Sequence, residues 1–122
     1  VSSTTDNVAK GLPAARRRIY DALREALDVS VQLYGSKPGK HYGANPLVEL
    51  ATLGATGEPD LFELRIWVTC AGDIHRGEAL TDDTMQAIED ALPATVGAPE
   101  WNVAYDQDAK HWRAEGRSLA FR

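Results

Sequence analysis

The chain has 122 residues, 43% hydrophobic and 25% charged, with a formal net charge of −5, the size and balance of one ordinary globular domain with one core. That acidity argues against a broad basic surface gripping nucleic acid, and no apolar run approaches the length of a membrane span. A single cysteine, Cys70, excludes an internal disulfide and a cysteine-rich zinc site.

Residues 1–10 are polar, rich in Ser and Thr, and lack apolar periodicity. They predict a flexible N-terminal arm ahead of one domain over residues 11–122, and with no charged start followed by an apolar block no secretory signal is expected. Leu12 and Pro13 open a first helix running to about Asp28, with Leu12, Ala15, Ile19, Leu23 and Leu27 as its apolar stripe. Arg16, Arg17 and Arg18 are consecutive and fan around the helix, which favours a solvated, partner-facing surface over nucleic-acid contact. Val29, Val31 and Leu33 alternate with polar neighbours and read as a half-buried first strand.

Residues 35–45 hold Gly35, Pro38, Gly39 and Gly43, too long a loop for a tight hairpin and of the kind that carries function. Residues 47–53 form a second strand, and the Gly/Pro-rich turn 54–60 makes a β-hairpin with the third. That third strand, residues 61–70, is the strongest signal in the chain. Phe62, Leu64, Ile66, Val68 and Cys70 fall at period two and mark a core face, while Leu61, Glu63, Arg65, Trp67 and Thr69 give the opposite face a mixed character.

A second helix is expected over 77–92, with Leu80, Thr84, Ile88, Ala91 and Leu92 inside and Pro93 ending it. Glu78, Asp82 and Asp83 lie in its N-terminal half, where the helix dipole favours carboxylates. Residues 101–105 read as a fourth strand, 106–109 as a turn, and 110–121 as a fifth strand with a bulge or bend at Gly116. The order α-β-β-β-α-β-β predicts a single α+β domain, a mixed or antiparallel five-strand sheet with two helices packed on one face. Phe62, Leu64, Ile66 and Val68 should pack against Ile19, Leu23, Ile88 and Leu92.

No catalytic constellation emerges. Residues 35–41 resemble a phosphate-binding loop only superficially, since the spacing is one residue short and His41 stands where Ser or Thr is required. His41, His75 and His111 lack metal-ligand spacing, there is no nucleophile elbow, and the pairs Asp82/Asp83 and Asp106/Asp108 fit helix-start and turn chemistry. Cys70 on the apolar face reads as a buried, inert thiol. The expectation is therefore a non-enzyme with no catalytic residue, no cofactor and no metal.

Residues 79–94, ALTDDTMQAIEDALPA, and residues 101–122, WNVAYDQDAKHWRAEGRSLAFR, carry a helix ending in Leu-Pro, a Trp-centred strand, a turn, and a closing strand with the pair Gly116-Arg117. With the element order, the length and the long first loop, the pattern over residues 12–122 resembles the tail terminator proteins of long-tailed, siphovirus-type phages of actinobacteria. The resemblance implies a virion protein at the tail–neck junction, made in the host cytoplasm. It implies a homohexameric ring that caps the tail tube, ends tube polymerisation and docks the capsid neck. The implied partners are other copies of the chain, the tail tube protein, a neck or head-completion protein, and double-stranded DNA passing without sequence-specific binding, with no membrane.

Within that reading, Lys37, Lys40, His41 and Tyr42 of the first loop are expected at a partner interface, the cations meeting acidic surface. Glu58 and Asp60 are expected toward a neighbouring subunit or the channel, and the face carrying Glu63, Arg65 and Trp67 under a neighbouring copy, with Glu63 and Arg65 pairing across the boundary. Two alternatives stand beside it. One is another head–tail connector or head-completion protein, and the other is a small ligand-binding α+β domain or enzyme using a cleft beside residues 37–42.

Overall fold

A computed structural model describes residues 2–34, 45–53 and 60–121, with side chains in the first helix described from Pro13 onward. The elements run α1 (Ser2–Ala26), β1 (Ser30–Leu33), β2 (Leu47–Leu53), β3 (Leu61–Ala71), α2 (Ile74–Ala91), β4 (Glu100–Asp106) and β5 (His111–Phe121). The expected order holds throughout. Two starting points differ. The helix α1 is already helical from Ser2, ahead of the start expected at Leu12. Pro13 then lies inside the helix, where it removes one i→i−4 bond without terminating the element. Its preference for a first turn is a preference only. The helix α2 begins at Ile74, three residues before the start expected at Gly77, because Asp73 caps it: the Asp73 carboxylate accepts from the backbone N–H of Arg76 at 2.7 Å.

The five strands form one sheet in the order β1-β2-β3-β5-β4. Strand β1 runs parallel to β2, and every other pair is antiparallel, including the predicted β2–β3 hairpin. The central strand β3 is buried at every second residue: Phe62, Leu64, Ile66, Val68 and Cys70 are all 1% exposed or less. Each such apolar side chain contributes about 1.5–3 kcal/mol as an upper bound. Ile19 and Leu23 of α1 and Ile88 of α2 join them in one core, with Leu92 half-buried against it. Thr81 and Thr84, on the inner side of α2, return their hydroxyls to the carbonyls of Gly77 and Leu80 at 2.7 Å each, so burial leaves no unsatisfied hydroxyl there.

The bulge expected at Gly116 is absent. The β3–β5 register passes through Ile66↔Gly116 without a step, and the β4–β5 register pairs Gly116 with Trp101. The glycine makes room for a ring instead of bending a strand. A Cβ on Gly116 would lie 2.8 Å from Cζ3 of Trp101. Gly77 plays the same part for α2, where an added Cβ would lie 2.5 Å from Cδ1 of Trp112 on β5. Both indoles are pinned by their N–H groups, Trp101 to Glu89 Oε1 at 2.8 Å and Trp112 to the carbonyl of Ile74 at 2.9 Å.

Candidate interaction surface

Because strand residues alternate and both helices lie on one face, the odd-numbered residues of β3 and β5 point to a face that no described helix covers. Glu63, Arg65, Trp67 and Thr69 of β3 stand there beside Arg113, Glu115, Arg117 and Leu119 of β5, in register. The charges pair along the strands. Arg65 Nη2 lies 3.4 Å from Glu63 Oε2, and Arg117 Nε lies 3.1 Å from Glu115 Oε1. Arg113 Nη1 donates to Thr69 Oγ1 at 3.1 Å. Glu63 and Arg65 thus contact each other within one chain, while the expectation that they pair across a subunit boundary concerns an assembly of several copies. Their i, i+2 placement on one strand face makes the intrachain contact geometrically short.

Across the strands the arrangement is less balanced. Arg65 stands directly opposite Arg117, a like-charge juxtaposition, and Arg65 Nε is buried with no hydrogen-bond partner. Trp67 is half-buried, its ring stacked on Tyr34 with centroids 4.3 Å apart and planes tilted 30°. At the other end of the face, Leu53 and Leu119 flank Glu63, and Phe121 pairs with Leu61. Leu53, Leu119 and Phe121 are 40%, 55% and 57% exposed, and the exposed Asp60 borders this apolar corner. A flat sheet face with an apolar corner, a stacked aromatic pair and interleaved charge is suited to covering by another protein.

The structure thus gathers Asp60, Glu63, Arg65 and Trp67 along one strand and its approach. Lys37, Lys40, His41, Tyr42 and Glu58 lie outside the described residues. What sequence reading missed is the contribution of β5. Its outward residues Arg113, Glu115, Arg117, Leu119 and Phe121 do alternate, but the inward ones are Ala114, Gly116, Ser118 and Ala120, too small to stand out as an apolar stripe. The signal was present as alternation of size.

Elsewhere two ionisable groups have displaced pKa values. Cys70 is buried, and burial raises its thiol pKa while a hydrogen bond with the Thr81 side chain opposes the rise, which favours the protonated thiol. Asp106 closes the β4–β5 turn, accepting from the backbone N–H groups of Ala109 and Asp108 at 3.0 Å each. The Ala109 bond is the main reason its pKa falls below the ordinary value; desolvation opposes it, and the Asp108 bond and the nearby His111 add lesser lowering effects. A recess lies between the start of α2 and the β4–β5 turn, lined by Gly72, Asp73, Ile74, His75, Tyr105, Gln107 and Lys110. Among the described residues no three His, Cys, Asp or Glu side chains are grouped to hold a metal ion, and no helix is long and apolar enough to cross a membrane.

A similar fold occurs in a chain from the virion of a native gene transfer agent particle. The two superpose with a TM-score of 0.60 over 93% of this chain and 96% of the other, at 19% sequence identity. At that coverage the likeness concerns the architecture of the domain and not one motif. No protein-family profile matches the chain. No curated protein sequence matches it.

Proposed function

We propose that this chain is a structural virion protein that assembles as a ring, a hexamer, on the end of a tail tube, stops further tube subunits from adding, and offers the capsid neck its docking surface. The observation that carries this reading is the fold shared, over nearly the full length of both chains, with a component of a gene transfer agent virion. The C-terminal pattern from Ala79 to Arg122 supports the finer assignment to a tail terminator. The charge is physically consistent with it: six copies at −5 each carry −30, and an acidic channel repels passing DNA phosphates instead of retaining them. No step of this role asks for catalysis.

In this reading the open sheet face with Glu63, Arg65 and Trp67 is covered in the particle. Loop 35–45 contributes Lys37, Lys40, His41 and Tyr42 to a partner contact, the cations meeting acidic surface, and loop 54–60 sets Glu58 and Asp60 toward a neighbouring subunit or the channel. Deleting the gene from the particle-producing genome that carries it should yield tails of uncontrolled length that fail to join heads, seen by negative-stain microscopy and reversed by supplying the chain in trans. Tails of normal length joined to heads in the deletion would overturn the reading.

A further inference from the structure

The two flanks of the sheet differ in charge, and we propose that copies of this chain associate head to tail, the α1–β1 flank of one copy against the α2–β4 flank of the next. Strands β1 and β4 are the two edges of the sheet. The helix α1 packs over β1 and β2, and α2 over β3 and β5, so each helix borders one edge. From Pro13 onward α1 carries four arginines against two carboxylates, whereas α2 carries one arginine against five carboxylates.

The side chains at each flank form matching patches. On the α1 side, the guanidinium carbons of Arg17 and Arg24 lie 5.9 and 5.4 Å from the centre of the Tyr20 ring, and Arg16 donates to Thr52 Oγ1 at 2.6 Å. Tyr20, Pro13 and the 38%-exposed Leu33 line a groove with Arg16 and Arg17, the latter also paired with Asp21 at 3.2 Å. It is an apolar centre with a cationic rim. On the α2 side, Glu78, Asp82, Met85 and Glu89 share one helical face by their spacing, and the Trp101–Glu89 bond turns that face toward β4. Among the described residues none of Glu78, Asp82 and Glu89 is paired with a cation. Below them Val103 of β4 is 38% exposed, and β4 pairs only with β5 among the described strands. This is an apolar centre with an anionic rim.

The heights of the two patches also agree. The helix α1 leads into β1, so Arg24 in its last turn stands at the end where β1 begins. Strand β1 is parallel to β2 and β2 antiparallel to β3, so this is the end where β3 finishes and α2 starts with Glu78 and Asp82. Arg16 sits by Thr52 at the opposite end, where β4 begins and Trp101 holds Glu89. Two copies set side by side and facing the same way therefore bring Arg24 level with Glu78 and Asp82, and Arg16 and Arg17 level with Glu89, with β4 antiparallel to the neighbouring β1. Such a heterologous contact closes into a ring when its rotation allows. Only the number of copies rests on the virion reading. The contact also leaves the open sheet face to the tube or neck, in place of the neighbouring copy expected there from sequence.

The test uses two charge-reversed full-length chains, Arg17→Glu with Arg24→Glu and Glu78→Arg with Asp82→Arg, all at exposed positions, with folding checked by circular dichroism. Mass photometry and light scattering at low ionic strength should show the native chain self-associating in a salt-sensitive way, and each variant alone weakened about tenfold or more. An equimolar mixture of the two should recover association, because each then offers the face that the other lacks. A native chain that stays monomeric at low salt and high concentration, a variant that assembles like the native chain, or a mixture that fails to recover would overturn the proposal. A native ring insensitive to both variants would reject these flanks and leave the virion reading standing, while normal particles from the gene deletion would reject that reading and leave the flank contact standing.

Discussion

Replacing Gly116 with alanine tests whether this glycine serves a ring or a bend. The added Cβ would lie 2.8, 2.9 and 3.1 Å from Cζ3, Cε3 and Cη2 of Trp101, well inside the ~3.5–4.0 Å optimum for carbon pairs. Overpacking of this kind costs about 1–3 kcal/mol. The ring can escape by swinging outward, but it then gives up the 2.8 Å bond to Glu89, a charge-assisted contact of about 1.5 kcal/mol at the low end that suits its exposure. Against this, alanine in a strand gains roughly 0.4–1 kcal/mol over glycine where the backbone permits it. The expected net loss is about 0.5–2 kcal/mol. Urea unfolding followed by far-UV circular dichroism on four chains, native, Gly116→Ala, Trp101→Ala and the double variant, separates the causes. With the indole gone, Gly116→Ala should be neutral or slightly stabilising. If the alanine costs the same with and without Trp101, the close-approach argument is wrong and the glycine serves the backbone.

Ile66→Ala, which empties a fully buried site at the middle of β3, should lower unfolding free energy by about 2–5 kcal/mol in the same assay, and a change below 1 kcal/mol would show that this strand does not centre the core. Cys70 should resist a thiol reagent at neutral pH until denaturant is added, since burial both hides the thiol and raises its pKa; rapid labelling of the native chain would contradict this. Asp106 has a lowered pKa, so its turn contacts stabilise the fold above its ordinary value of 3.8 and the contribution is lost as pH falls through the lower folded value. The difference in urea midpoint between native and Asp106→Ala chains should accordingly be full near neutral pH and shrink below 3.8, and a difference that grows on acidification would reverse the sign of the argument.

What the sequence determined by itself were the properties that depend on neighbours a few residues away. Period-two burial of β3, the stripes Ile19–Leu23 and Ile88–Leu92, the stop at Pro93 and the order of seven elements all follow from local periodicity, because burial repeats with the geometry of a single helix or strand. The expected start of α2 at Gly77 fell short because its first turn opens with the exposed Ile74 instead of a stripe residue, and the Asp73 cap that sets the start emerged only from the structure. Tertiary structure decided everything that depends on which segments lie side by side. Trp101 meets Gly116 only because β4 pairs with β5 in one register, and the same glycine in isolation reads as a bend. The parallel pairing of β1, the ladder of Glu63, Arg65, Glu115 and Arg117, and the separation of α1 arginines from α2 carboxylates onto opposite flanks arise the same way. Sequence supplies the charges and their count, but their signs become a direction across the molecule only when the sheet order places one helix at each edge.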